Sequence, residues 1–551
     1  MSKINYFALG GQDEMGRYAG VLEINNEIFI LNAGIGAEFS NQLGIKKIIP
    51  DLRYLSEHAK KIKGIFIGCP KNINIGSLPY FLTTFPNIPV YTSVLGKAII
   101  ESFLAKFEQE NNVNIKNEII AVNPAIDLTV GMLKVCGIKS PSSVPCSYAW
   151  VFKLLTGQVV VFLDEFVLAN EVNPCCESQL HLIAQQVKNK TSLLLIGAQN
   201  AGKVLGFAYP LAKNFSFLKK SVSSTKKRVL VSLYEDDWNT LLNLSRVAKV
   251  YSMNFHISCP RIAFLVNKYI ETLHSDEYAA ATPLLKSDNS LIAIVGNNED
   301  LFAKLRNIDA GKDEIAFQSG DLFLICTITL PENEYEEILL LNDISKHDII
   351  VVKQPKSIIP YAAGNEDIKF VVNALSPYNI VPVNGYYKDF VNVYKALSNT
   401  VDTKRIKFLG SGERLEIDGK QTNVTTLNIS KQYVNEEGIL DINNMILLER
   451  QLLEKSGLII ISVLYNIKKH IFYKPKVSIK AFVPEDYSKK NDIHAAIDKY
   501  IALELSKYLA LNKGLEIREV KMHLKDAVYK ALKNKTNKRP VILPLITKWQ
   551  Q

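Results

Sequence analysis

With 551 residues the chain is too long for one hydrophobic core, so two to four domains are expected. Its composition, 47% hydrophobic and 22% charged, is ordinary for a globular protein, and its net charge of +10 suggests a polyanionic partner. No apolar run approaches the roughly 18 residues of a membrane span and the N-terminus lacks a signal-peptide pattern, so a cytoplasmic protein is expected.

The N-terminal part alternates short strands with helices. Residues 5–34 read as strands, with Asn25-Asn26 as a hairpin turn, and further strands are predicted at the ranges 62–67, 89–92, 119–122 and 134–138. A helix is predicted over 94–110, and a second hairpin turns at Thr156-Gly157. Two β-rich halves separated by helices indicate an αββα sandwich.

From residue 177 to about 352 strands alternate with longer helices, the clearest over 236–248 and 261–273. This alternation is typical of a parallel α/β domain. Short buried strands return at 349–353 and 379–384. The first domain therefore resumes there, and the second domain is an insertion in it.

The C-terminal region is predicted to be α+β, with strands at 458–466, 470–482 and 541–547 and helices at 493–511 and 515–534. It carries 22 Lys and Arg against 13 Asp and Glu from residue 431 onward, a net charge of +9. A basic appendage on a near-neutral body favours a nucleic-acid partner. Solvated helix faces in a lysine-rich chain explain the charge equally well.

Local metal-binding patterns are absent from the sequence. The seven cysteines include no CxxC pair, and the eight histidines include no HxH or HxxxH pair. Reduced thiols are therefore expected instead of disulfides, and neither a zinc ribbon nor a local histidine site is predicted.

Three segments of the chain resemble bacterial ribonuclease J. They are NYFALGGQDEMGR at 5–17 with ILNAG and IIPDLRYL after it, KIKGIFIGCPKNINIGSLPYFL at 61–82, and KRPVILPLI at 538–546. The resemblance covers nearly the whole chain. It implies an α/β fold in which a metallo-β-lactamase αββα sandwich (1–185 and 353–432) holds an inserted β-CASP domain (186–352) and precedes a small α+β C-terminal domain (433–551).

The resemblance also locates the ligands of the family's two Zn or Mn ions, and this chain has replaced nearly all of them. Asp164 retains the family's residue type, whereas the other positions are occupied by Asn32, Cys69, Lys71, Ile73, Asn74, Ser142 and Asn384. The β-CASP positions fall on Gly197 and on 358–364, which lack the family's acidic and histidine side chains. Two-metal hydrolysis needs imidazole and carboxylate ligands to hold the cations. We therefore expect no metal, no other cofactor and no catalytic residue.

The substituted residues have competing interpretations. Lys71 either holds an RNA phosphate or, as we favour, forms an ion pair with Asp164, which is otherwise an unpaired buried carboxylate. Cys69 is better explained as a small buried side chain than as a metal ligand or reactive thiol. Ser142 and Asn384 are expected to hydrogen bond to each other or to nearby backbone.

Basic residues of the C-terminal region are candidate RNA contacts, with aromatic side chains between them at Phe472, Tyr473 and Phe482. The candidates are Lys468, Lys469, Lys474, Lys533, Lys535, Lys538 and Arg539. A solvated edge is the alternative.

The resemblance implies a ribonuclease J-like protein without the two-metal site. We expect a non-catalytic structural or regulatory subunit in RNA processing and decay, paired with an active ribonuclease J, with itself, or with both. Two alternatives stay open: a weak metal-dependent ribonuclease using a rearranged site around Asp164, and a stand-alone RNA-binding protein.

Overall fold

The computed structural model forms two compact units, one built from the described residues up to 432 except residue 45, and a smaller one built mainly from those after 432. It describes residues 3–36, 45, 47–140, 142–168, 178–187, 190–199, 201–285, 287–327, 334–356, 358, 362–435, 438–440, 444–482, 490–510, 516–533 and 539–549. Cys175 and Cys176 lie outside these ranges. None of the described helices is long and apolar enough to cross a membrane.

Two β-sheets face each other in the larger unit. The first contains the strands β1 Lys3–Ala8, β2 Gly20–Ile24, β3 Glu27–Leu31, β5 Ile62–Phe66, β6 Val90–Thr92, β7 Ile119–Ala121, β19 Glu413–Asp418 and β20 Gln421–Thr426. Their order is β20-β19-β1-β2-β3-β5-β6-β7, and a short strand β4 covers Lys47–Ile49. The second sheet contains β8 Leu128–Val130, β9 Leu133–Lys139, β10 Tyr148–Lys153, β11 Val159–Leu163, β12 Thr191–Gly197 and β18 Ile380–Val383, in the order β18-β12-β11-β10-β9-β8.

Aromatic and aliphatic side chains fill the space between these two sheets, among them Phe29, Trp150 and Phe162. A second apolar cluster joins the first sheet to the helices α3 Leu78–Thr84 and α4 Val94–Asn111. A third joins the second sheet to α5 Leu180–Val187, α11 Asn365–Leu375 and α12 Tyr387–Leu397. The short helices α1 Arg53–Glu57 and α2 Asn72–Ile75 lie in connecting segments. The four layers follow because each sheet buries one face on the other and one under helices.

The chain between β12 and β18 forms a separate parallel sheet, although those two strands are neighbours. It contains β13 Val229–Tyr234, β14 Asn254–Ile257, β15 Ser290–Gly296, β16 Leu322–Ile325 and β17 Ile350–Lys353, in the order β14-β15-β13-β16-β17. Its helices are α6 Pro210–Ser223, α7 Trp238–Val250, α8 Pro260–Leu273, α9 Asn298–Asp309 and α10 Glu334–Ile344. The prediction that the first domain resumes with a buried strand at 349–353 is wrong, because β17 pairs with β16 of the inserted sheet and none of its residues is fully buried. The domain bounds 1–185, 186–352, 353–432 and 433–551 remain predictions.

The smaller unit packs helices on one face of a sheet. Its elements are β21 Gln432–Asn435, β22 Gly438–Leu440, α13 Asn444–Ser456, β23 Leu458–Asn466, β24 Ile471–Phe472, β25 Lys476–Lys480, α14 Lys490–Ala510, α15 Ile517–Leu532 and β26 Val541–Trp549. Strand β26 runs parallel to β23, while β24 and β25 pair antiparallel with it. The single strand predicted over 470–482 is wrong, because it is interrupted at Pro475, which has no N–H to donate to a ladder.

Candidate functional site

Asp164 lies at the centre of a buried cluster of polar residues between the two sheets. It follows β11, while Asn32 follows β3 and Asn384 follows β18, so three strand ends bring these side chains together. The Asp164 carboxylate accepts hydrogen bonds from Asn32 Nδ2 at 2.7 Å and from Asn384 Nδ2 at 2.9 Å. Each carboxylate oxygen therefore has its own amide donor.

Both asparagines have backbone conformations that favour this residue type. The φ angles of Asn32 and Asn384 are 62° and 52°, in the left-handed region that asparagine tolerates better than most side chains. The predicted hydrogen bond between Asn384 and Ser142 is wrong, because the Asn384 amide donates to Asp164. The alternative that Ser142 bonds to nearby backbone is confirmed, since Ser142 Oγ donates to the carbonyl oxygen of Val144 at 3.2 Å. Ser142 Oγ also contacts Ser147 Oγ at 2.7 Å and Cys69 Sγ at 3.2 Å.

Burial makes the Asp164 carboxylate hard to ionise. It raises the pKa of Asp164 to about 6, although the hydrogen bond from Asn384 acts in the opposite direction. Two neutral amides compensate less for lost hydration than a cation does, so the pKa stays above its ordinary value. A carboxylate with this pKa is partly protonated in mildly acidic solution.

Lys71 forms its ion pair with Glu165, and the predicted pair with Asp164 is wrong. The Lys71 ammonium contacts Glu165 Oε2, while Ser143 donates from its backbone N at 2.9 Å and from Oγ at 2.6 Å to Glu165 Oε1. The Glu165 side chain is 1% exposed and that of Lys71 18%. Burial disfavours the charged form of Lys71, but the Glu165 carboxylate outweighs it and raises the Lys71 pKa above its ordinary value.

Three further substituted positions line the loop between β5 and α3. Cys69 is buried, as expected, and burial together with the Glu165 carboxylate raises the pKa of its thiol to about 12. Asn74 is buried and donates from Nδ2 to the Cys69 carbonyl oxygen at 3.1 Å. Ile73 is partly exposed, and its carbonyl oxygen accepts from the backbone N of Ile35 at 3.1 Å.

Gly197, at the end of β12, is required by the packing of its backbone. A Cβ atom at this position would lie 1.7 Å from the carbonyl oxygen of Asp164. No side chain, acidic or otherwise, fits there without moving the strand. Of the 358–364 segment, Ile358 and Ala362 are buried.

The segment that follows β13 closes over the loop and was not found from the sequence. Asn72 donates from its backbone N to Asp236. Burial raises the pKa of Asp236 above its ordinary value, although the Lys71 charge acts in the opposite direction. Asn239 Nδ2 donates to the carbonyl oxygen of Ser142. The polar run Glu235-Asp236-Asp237 at the start of the helix predicted over 236–248 is the only signal in the sequence, and nothing in it indicates its partner.

Apolar side chains seal the same boundary. Cys69, Leu95 and Val144 belong to one buried cluster with Trp238 and Tyr269 of the inserted sheet's helices. At its edge Arg261 donates to Ser102 Oγ at 3.3 Å, and Lys106 lies 3.9 Å from Asp300. The polar cluster around Asp164 is therefore covered on the side that faces the insertion.

The predicted RNA contacts belong to the smaller unit. Lys468, Lys469 and Lys474 are exposed in the two turns beside β24, and Lys533 and Arg539 are exposed around the end of α15 and the start of β26. Lys535 and Lys538 lie outside the described residues. The helices of this unit carry a separate charge cluster, in which Glu504 accepts from Lys530 at 3.0 Å; this contact lowers the pKa of Glu504 to about 2.

Several known proteins are similar to this chain in sequence. The ribonuclease J C-terminal domain family matches residues 445–549. An uncharacterised protein of Mycoplasma genitalium is 31% identical to this chain, and the match covers 99% of this chain and all of that protein. Ribonuclease J2 of Bacillus subtilis is 24% identical over 98% of each chain, and ribonuclease J2 of Staphylococcus saprophyticus is 24% identical over 99% of this chain and 98% of its own.

The chain belongs to the ribonuclease J family, and its α/β fold is of the metallo-β-lactamase type. A crystal structure of an Enterococcus faecalis protein of unknown function shares this fold, with a TM-score of 0.53 and 12% identity. The match covers 77% of this chain and all of that one.

Proposed function

We propose that this chain is a non-catalytic subunit of RNA processing and decay in the cytoplasm, built on the ribonuclease J scaffold. In this proposal the inserted sheet is a β-CASP domain and the residues from 433 onward are the small C-terminal domain. The observation that carries the proposal is the Asp164 carboxylate held between the amides of Asn32 and Asn384.

The residues around Asp164 do not fit the family's two-metal centre. Both amides present N–H groups to the carboxylate, so their nitrogen atoms act as donors in a place where a cation needs lone pairs. The Lys71 ammonium acts electrostatically on the Asp164 carboxylate and repels a divalent cation. Within the described ranges, His, Cys, Asp and Glu side chains form no group of three arranged to hold a metal ion.

The contacts between the loop and the inserted domain support the same conclusion. A nuclease must admit a phosphodiester to its reacting groups, and here the hydrogen bond from Asn239 to Ser142 and the apolar cluster of Cys69 and Trp238 cover the approach. These contacts stabilise a scaffold and leave little room for a substrate.

Exposed apolar residues of the smaller unit support a role as a subunit. Helix α13 exposes Leu448 and Leu452 at 59% and 49%, and β26 exposes Leu543 and Leu545 at 46% and 45%. Apolar side chains grouped in this way mark protein interaction surfaces. An active ribonuclease J paralogue, a second copy of the chain, or both, are the proposed partners.

Two measurements test the proposal. The purified chain is assayed on single-stranded RNA with Mn²⁺ or Zn²⁺ beside an Asp164→Ala variant, and equal background in both proteins is expected. Activity that the substitution abolishes would establish the ribonuclease alternative instead. Affinity purification from the native cell is expected to recover an active ribonuclease J, and a strictly monomeric protein without that partner contradicts the subunit role.

A further inference from the structure

The outer face of helix α12 carries two parallel rows of side chains, one aromatic and one basic. Tyr387 and Tyr394 form the aromatic row and are 53% and 39% exposed. Lys388 and Lys395 form the basic row and are exposed as well. A spacing of seven residues is close to two helical turns, so the members of each row lie on one side of the helix, about 10 Å apart.

The segment after α12 adds a third aromatic ring and three further cations. The Phe408 ring lies 5.7 Å from that of Tyr387 and 6.0 Å from that of Tyr394, measured between centroids. The Phe408 ring therefore packs against both tyrosine rings, which stay partly exposed to solvent. Lys404, Arg405 and Lys407 precede it in the chain. We call Tyr387, Tyr394, Phe408 and the five cations at 388, 395, 404, 405 and 407 the α12 stripe.

The segment that carries the α12 stripe holds few carboxylates, although Lys388 acts electrostatically on Asp389 and its ammonium lies 5.2 Å from the centroid of the Tyr386 ring. Segment 386–408 contains two acidic residues, and both are engaged with backbone groups: Asp389 accepts from the backbone N of Tyr386 at 3.1 Å and Asp402 from that of Lys404 at 3.0 Å. Within the described ranges none of the five cations forms an ion pair, whereas elsewhere on the surface Lys227 pairs with Asp288 and Lys153 with Asp127.

We propose that the α12 stripe binds single-stranded RNA, with bases stacked on Tyr387 and Tyr394 and phosphates held by the adjacent cations. Exposed aromatic rings provide platforms for any base, and unpaired lysines follow the backbone charge. The choice of RNA over single-stranded DNA rests on the proposed function. The binding surface does not, because it lies on the outer face of a helix that packs on the second sheet through Phe390 and Val393.

Stacking is tested by measuring the affinity of the full chain for a fluorescent oligouridine by anisotropy, with oligothymidine DNA as a second probe. Tyr387→Leu/Tyr394→Leu keeps apolar packing against Phe408 but removes the stacking rings. It is expected to weaken oligouridine binding about tenfold or more, since each stacked base contributes substantially. Tyr335→Leu, at a tyrosine 72% exposed on another helix, is the matched control and is expected to leave affinity unchanged.

Phosphate contacts are tested with Lys388→Gln/Lys395→Gln. Losing two contacts is expected to lower the slope of log affinity against log salt by about 1.4. The matched control, Lys219→Gln/Lys220→Gln, removes two exposed charges from α6 and is expected to keep the wild-type slope. A second measurement, ultraviolet cross-linking of oligouridine to the wild-type chain, is expected to label peptides within 386–408 and does not depend on any variant folding.

Wild-type affinity of the double tyrosine variant, or cross-links confined to the C-terminal lysines, would overturn the inference. Loss of partner recovery with unchanged RNA affinity would make the α12 stripe a protein interface and would also overturn it. If the double tyrosine variant loses the same affinity for oligouridine and for oligothymidine, the α12 stripe is still the binding surface, but its ligand is single-stranded nucleic acid of either kind and the choice of RNA is overturned. Ribonuclease activity with Mn²⁺ would defeat the proposed function and leave these binding results unaffected.

Discussion

The buried cluster around Asp164 and the exposed α12 stripe differ in whether their charged groups have partners within the chain. In the cluster every charged group has a partner within the chain: Asp164 has two amides, and Glu165 has Lys71 and Ser143. In the stripe the five cations form no ion pair among the described residues, although Lys388 acts electrostatically on Asp389. A polar group with internal partners supports the fold, and one without them is available to a ligand. The difference indicates that the buried cluster around Asp164 stabilises the fold, whereas the exposed cations of the α12 stripe are available to a ligand.

The largest effect is expected from Lys71→Met. Removing the ammonium leaves the Glu165 carboxylate, 1% exposed, without its cation, and the free energy of unfolding should fall by about 3–5 kcal/mol in urea titrations. The double variant Lys71→Met/Glu165→Gln removes both charges and should recover most of the loss. If the single variant were no less stable than the double, the ion pair would not stabilise the cluster.

A somewhat smaller effect is expected from the pH dependence of Asp164→Asn. Because the folded-state pKa of Asp164 is raised to about 6 from an ordinary 3.8, the folded chain holds the proton longer than the unfolded chain. The stability that Asp164 contributes is thus complete below about pH 4 and is lost as pH rises through 6, by about 3 kcal/mol. Asp164→Asn removes this loss, so its stability relative to wild type should increase from pH 4 to pH 7.

Unfolding free energies at several pH values measure that change. Asp237, whose pKa burial also raises to about 6, contributes the same slope to both proteins and cancels in the difference. A constant difference across this pH range would mean that Asp164 titrates in the folded chain as it does in the unfolded one.

The substitution Asn384→Gly is expected to cost about 1–3 kcal/mol, because Asp164 loses the amide donor at 2.9 Å while the backbone keeps its φ of 52°. Asn384→Ala should cost about 1 kcal/mol more, since alanine is strained in the left-handed region. Thermal or urea unfolding of the two variants separates the contribution of the hydrogen bond to Asp164 from that of the backbone conformation. Equal stability of both variants would exclude a backbone contribution at this position.

The smallest effect is expected at the α12 stripe itself. Lys388→Gln/Lys395→Gln removes two exposed charges that form no ion pair with described residues, so the free energy of unfolding should change by less than about 0.5 kcal/mol. The same measurement made for Lys71→Met provides the contrast. A large loss of stability here would show that the stripe is structural.

Sequence patterns predicted much of the sandwich and the family resemblance located Asp164, but neither predicted the pairing within the site. Asp164 and Glu165 are consecutive residues after a strand, and successive side chains point to opposite sides, so the sequence cannot say which one meets Lys71. The sequence predicts that Asn384 and Ser142 bond to each other or to nearby backbone, yet the Asn384 amide donates to Asp164. Asn239 was missed because its contact with Ser142 joins segments that are 97 residues apart.

The central claim is that the Asp164 cluster holds no metal pair because its own donors occupy it. The most direct test is the metal content of the purified chain after incubation with Mn²⁺ or Zn²⁺ and removal of free ions, measured by mass spectrometry beside Asp164→Ala. We expect the wild-type chain to retain no more ions than the Asp164→Ala variant. Two ions per chain, lost on substitution of Asp164, would contradict it.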